Sequence, residues 1–166
     1  MRALQTVTLL VATLGAGLMA GLFAAFAYAV MPGLARSGDR SFVQAMQHIN
    51  RAILNGWFLL PFLLPIPLLI LATVLSWNGH GRVALPWILA ALVLYLAGFF
   101  VTSGVNVPLN NALDKSDTED DGRVRAARAV FEGRWVTWNI VRAVLHTAAF
   151  GVLAWALFLH GTAGQA

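Results

Sequence analysis

The sequence contains no cysteine. That excludes disulfides, thiolate metal sites and thiol redox chemistry, and with them the quinone-linked disulfide exchange performed by some four-helix membrane enzymes. Charge is also scarce: 11% of the 166 residues are Asp, Glu, Lys or Arg and 59% are apolar, whereas soluble domains carry about 25% charged residues. It is missing altogether from residues 3–35, 52–81, 83–113 and 143–166. Each gap exceeds the roughly 20 residues that cross a hydrocarbon core. None shows the inside-outside period of two that a barrel strand requires, so the backbone must satisfy itself as helix. The predicted fold is therefore all-α, an integral membrane four-helix bundle. Its spans fall near residues 6–31, 54–76, 84–104 and 136–160 of a single domain covering 1–166.

A net charge of +4 would invite nucleic acid in a soluble protein. Here Lys and Arg flank spans and record topology, and no nucleic-acid motif is present. Loops one and three hold Arg36, Arg40, Arg51, Lys115, Arg123, Arg125, Arg128 and Arg134, against Arg2 and Arg82 on the other side. This asymmetry predicts cytoplasmic loops one and three and outward termini, as in a bacterial inner-membrane protein with membrane lipid as its surroundings. Arg2 and the small-x-small pattern Ala27-Tyr28-Ala29 imitate a signal peptide. The apolar run of about 25 residues outgrows the roughly 7–15 of a signal core, so it is expected to stay as span one.

Between the spans, residues 42–51 predict a short amphipathic helix before span two, and Val124, Ala127 and Phe131 recur at helical spacing in another before span four. Residues 77–81, Trp-Asn-Gly-His-Gly, predict a tight turn. Pro61, Pro65 and Pro67 predict a kink or break in span two, with a cavity beside the bend as its functional reading. Gly17 and Gly21 form a small-xxx-small face, suited to packing inside the bundle or to a homo-oligomer contact. Trp57, Trp77 and Trp87 fit the interfacial belt.

Ionisable residues inside a membrane are costly and point to function. In span four, Trp135, Trp138, Asn139, Arg142 and His146 fall within roughly a 100° arc at about 100° per residue. Near span two, His48, Arg51 and Asn55 share another helical face, with Asn50 adjacent. After span three, Asn106, Asn110 and Asn111 surround Pro108, which suits a helix end whose freed carbonyls need amide partners. Three segments thus bring amides, arginines, histidines and tryptophans to one end of the bundle. The expectation is a polar pocket at the membrane interface, walled by aromatic and aliphatic side chains and suited to a small, flat, apolar aromatic molecule.

At these residues the sequence resembles the anthrone oxygenase-like family of small four-span membrane proteins. The resemblance rests on residues 21–32, on Met46-Gln-His-Ile-Asn50, on Asn106-Val-Pro-Leu-Asn110 and on residues 135–146. It implies oxidation of an anthrone-like phenol by dioxygen as co-substrate, without a cofactor. In that implied chemistry His146 or His48 serves as base through a neutral imidazole. Arg142 with Asn139, Asn106 or Asn110 stabilises the enolate, Trp135 and Trp138 stack on the rings, and Asn50 contributes to binding. Two alternatives stand beside it. One is a non-catalytic structural or partner-binding subunit with an internal polar network. The other binds haem or copper through His48 and His146, with no further metal ligands in view.

Overall fold

The computed structural model describes residues 2–78 and 82–163, and the helices in chain order are α1 (Arg2–Ala25), α2 (Met31–Ala35), α3 (Asp39–Ala52), α4 (Gly56–Leu63), α5 (Pro65–Leu75), α6 (Leu85–Val101), α7 (Val107–Asp114) and α8 (Asp121–Thr162). Gly79, His80 and Gly81 of the predicted turn lie outside the described residues. Among the described residues, four helical stretches are long and apolar enough to cross a membrane: Arg2–Leu34, Gly56–Leu75, Leu85–Asp114 and Asp121–Thr162. Large apolar side chains such as Leu18, Leu60, Val93 and Val144 stand exposed on all four, as a surface solvated by lipid requires.

The bundle closes in chain order. α1 packs on α5, α5 on α6, α6 on α8 and α8 back on α1. Its central core is rich in alanine, with Ala12, Ala16, Ala72, Ala91, Ala149 and Ala156 fully buried beside Leu9, Leu69, Ile88, Tyr95 and Leu153. Small residues permit this close approach, which in lipid must come from packing rather than from water exclusion. A β-carbon on Gly15 would sit 2.8 Å from Pro65 Cγ. Gly17 packs against the Phe150 ring of α8, while Gly21 faces outward with nothing near it.

A second core caps one end. Phe42, Val43 and Met46 of α3 pack on Met31, Leu109, Leu113, Val124, Phe131 and Trp135. This cap exists because α8 is a single 42-residue helix, about 63 Å long at 1.5 Å per residue against a hydrocarbon core of roughly 30 Å. Its first half therefore projects beyond the bundle as the strut of the cap. Asp120 starts it by accepting from Arg123 N at 2.9 Å. Arg128 ties the cap together, donating to Ala35 O, Ser37 O, Asp39 and Glu132 while lying 4.5 Å over the Phe42 ring.

Prolines shape the other spans. Span two breaks at Leu64, between α4 and α5, since Pro65 has no N–H for the Pro61 carbonyl. The Tyr95 hydroxyl donates there instead, to Pro61 O at 3.1 Å and Phe62 O at 2.9 Å. Asn55 caps α4, its Oδ1 accepting from the amides of Trp57 and Phe58. Spans one and three each contain a π segment, Phe26–Val30 and Thr102–Asn106, with a proline two residues beyond its end, Pro32 and Pro108. The wider turn makes room for a ring that would crowd the carbonyl four residues back. Pro108 consequently does not end span three, as its position suggested; the helix continues past residue 104 to Asp114.

Candidate functional site

Between the alanine core and the cap lies a smaller apolar cluster of Met19, Phe23, Phe62 and Ala143. Beside it a cavity of about 220 Å³ opens toward the cap. Phe23, Asn139 and Arg142 line its buried end, Phe26, Phe58, Phe62 and Trp135 its aromatic walls, and Arg51, Leu54, Val107, Asn111 and Asp114 its exposed rim. Arg51 Nε and Asp114 Oδ1 pair at 2.6 Å across the rim, linking the ends of α3 and α7. The π segments contribute Phe26 and Thr102 to the lining.

Arg142 dominates the buried end. It is 5% exposed, and its guanidinium carbon lies 4.4 Å from the Phe23 ring centre and 5.3 Å from that of Trp135. Its Nη2 donates to Asn139 Oδ1 at 2.9 Å, and Asn139 Nδ2 donates to Phe23 O at 3.0 Å. Nε has no partner. No carboxylate pairs with Arg142 among the described residues; Asp114, the acid lining the same cavity, is bound to Arg51. A buried cation without a counter-charge is costly, so this one creates an unmet demand for negative charge.

His146 lies one turn further along α8, fully buried but not part of the cavity lining. Its Nδ1 sits 2.9 Å from Arg142 O. A carbonyl only accepts, so Nδ1 carries the proton and Nε2 keeps its lone pair. Nε2 has no partner. The ring meets Phe23 and Tyr95 edge-on at 4.9 and 4.8 Å between centres. Gly98 makes the space for it, because a β-carbon there would collide with the imidazole.

Trp135 holds the cavity wall together. Its Nε1 donates to Asn110 Oδ1 at 2.7 Å, and its backbone carbonyl accepts from Asn106 Nδ2 at 3.3 Å. Its ring is itself packed against Phe26 and Phe131. Asn110 and Asn50 line the cavity, whereas Asn106 is fully buried behind it with Oδ1 unpartnered.

Two expected site residues lie elsewhere. Trp138, at one extreme of the 100° arc, is 37% exposed and outside the cavity. His48 is exposed and absent from the lining, roughly opposite the face of α3 that buries Phe42, Val43 and Met46. Of the expected stripe, His48 stands on the outer face of that helix and Arg51 at the cavity rim, while Asn55 lies beyond the end of α3 as the cap of α4; Asn50 is the residue that turns inward. His48, exposed on α3, and His146, buried on α8, thus occupy separate surroundings. Among the described residues no group of three or more His, Cys, Asp or Glu is placed to hold a metal ion.

Sequence reasoning missed Phe23, Thr102, Gly98 and Tyr95. Gly98, Thr102 and Asn106 recur every fourth residue as a small and polar stripe on span three, a legible signal for the face that meets α8. Thr102 Oγ1 donates to Gly98 O at 2.9 Å within it. Phe23 carries no mark that separates it from the other apolar residues of span one.

Among curated proteins and solved structures, none matches the chain. A family model described as anthrone oxygenase matches residues 51–152. That stretch covers more than half of the chain and includes Asn106, Asn110, Trp135, Asn139, Arg142 and His146, while the resembling residues 21–32 and 46–50 precede it. By this match the chain belongs to the anthrone oxygenase family.

Proposed function

We propose that the cavity binds a flat, oxygenated aromatic of the anthrone type and promotes its oxidation by dioxygen, with Arg142 stabilising the oxyanion that forms. The observation that carries this reading is the buried Arg142 guanidinium, held between two aromatic rings at the end of an apolar cavity and lacking a carboxylate partner among the described residues. A substrate enolate or phenolate supplies the missing charge. Stabilising charge where it develops, in a site shielded from water, is commonly the largest catalytic contribution.

The chemistry balances without a further reductant. Loss of a proton from the ring methylene gives an enolate, whose oxygen lies against Arg142. The electron-rich carbon reduces dioxygen and forms a C–O bond, giving a hydroperoxide. Loss of the second C–H proton with cleavage of the O–O bond leaves a new carbonyl and releases water. His146, one turn from Arg142 along α8, is the base of this reading; it stands outside the cavity lining, and the Phe23 ring touches both side chains. A purely structural polar network would pair its own atoms. Here Asn50 Nδ2 and Arg142 Nε, on residues that line the cavity, are buried without a hydrogen-bond partner among the described residues, which favours a site built for a ligand.

Oxygen uptake by detergent-purified, metal-analysed protein with anthrone tests the reading. The expected result is protein-dependent uptake with formation of anthraquinone. Uptake no faster than the spontaneous reaction would favour the structural or partner-binding subunit.

A further inference from the structure

We infer that Asn110, with Asn50 beside it in the cavity lining, forms a second, uncharged anchor that selects ring systems carrying another oxygen in addition to the one met by Arg142. This rests on the reading of the cavity as an aromatic-binding site and specifies its substrate class. The orientation of Asn110 is settled by its partner: an indole N–H only donates, so the carboxamide atom 2.7 Å from Trp135 Nε1 is the oxygen. The amide nitrogen is then turned away from Trp135, and no described group accepts from it. Asn50, arriving from α3, brings a second carboxamide whose buried Nδ2 is likewise unpartnered.

The two donor sets have a fixed relation. Arg142 lies over the indole ring, 5.3 Å from its centre, while Asn110 is bound at the indole N–H. Donors at two places around one indole suit a ketone or phenol with a second oxygen on the same ring system. Neutral oxygen suits this anchor better than carboxylate. The nearby charges on the rim, Arg51 and Asp114, already neutralise each other at 2.6 Å, and a carboxamide N–H offers a hydrogen bond without a net charge.

Anaerobic binding of anthrone, with one carbonyl, and anthraquinone, with two, to the detergent-purified full chain tests the anchor through quenching of tryptophan fluorescence. One additional neutral hydrogen bond corresponds to a preference of about fivefold for anthraquinone. Asn110→Asp keeps an acceptor for Trp135 but removes the donor; at about pH 8, where the new carboxylate is ionised, the preference should fall to about one or invert. Asn50→Leu should reduce it as well, and gives a second reading should Asn110→Asp fail to fold. An unchanged preference in every folded variant would overturn the anchor while leaving the cavity reading intact. Absence of binding of both compounds to the unaltered chain would overturn the cavity reading, and the anchor with it.

Discussion

Replacing Arg142 by methionine should separate activity from stability. In the folded protein the guanidinium gains two cation–π contacts, at 4.4 and 5.3 Å, about 1 kcal/mol each. Its hydrogen bond to Asn139 adds about 2 kcal/mol as a charged pair. Against this total of roughly 4 kcal/mol stands a burial penalty of several kcal/mol for an ion with no counter-charge. Methionine fills similar space without that penalty, so the melting temperature of Arg142→Met in detergent should stay within a few degrees of the unaltered protein, or rise. Turnover should behave differently, because removing one group that stabilises a developing oxyanion typically costs about 10²–10³ in rate. Oxygen uptake with anthrone and thermal unfolding on the same preparation measure both quantities. A variant that is markedly destabilised yet retains turnover would refute the argument, since Arg142 would then be serving the fold.

Gly98→Ala should lower stability by about 1–3 kcal/mol, as overpacking does, because the new methyl collides with the buried His146 ring; an unchanged melting temperature would contradict the placement of His146. Tyr95→Phe should cost about 1–3 kcal/mol by stranding the Pro61 and Phe62 carbonyls at the break in span two, also read by thermal unfolding. Arg128→Met should cost about 1.5–3 kcal/mol, since it breaks a hub of two carbonyls and two carboxylates at a residue whose side chain is 14% exposed. Asp114→Asn at the exposed rim pair should cost under about 1 kcal/mol; equal losses in the two variants would remove the distinction between hub and rim.

The four spans were legible because uncharged gaps longer than about 20 residues admit few other readings. Most of the α8 face was legible for a similar reason. Residues 135, 139, 142 and 146 lie within a narrow arc at 3.6 residues per turn, and all four are buried in the structure. Trp138 lies just far enough around the helix to leave that face. For α3 the polar stripe was read as the site, although Phe42, Val43 and Met46 already marked the inward side; an amphipathic helix at an interface turns its apolar face to the core. The π segments were not legible, since a proline in a span permits a kink, a break or a widened turn, and neighbouring helices decide among them. Phe23 was unreadable because its importance comes from what α8 places beside it, namely Arg142 at 4.4 Å and His146 at 4.9 Å.

The most direct test of the central claim is the titration of a chromophoric phenol, such as a hydroxyanthraquinone, followed by its absorbance when free in detergent and when bound to the protein. An apolar cavity alone disfavours the phenolate and raises the ligand's pKa, whereas an unpaired guanidinium at its end favours the phenolate and lowers it. The account predicts a bound pKa below that of the free ligand, with the shift reversed in Arg142→Met. A bound pKa above the free value in the unaltered protein would contradict the claim that the cavity is built to hold an oxyanion.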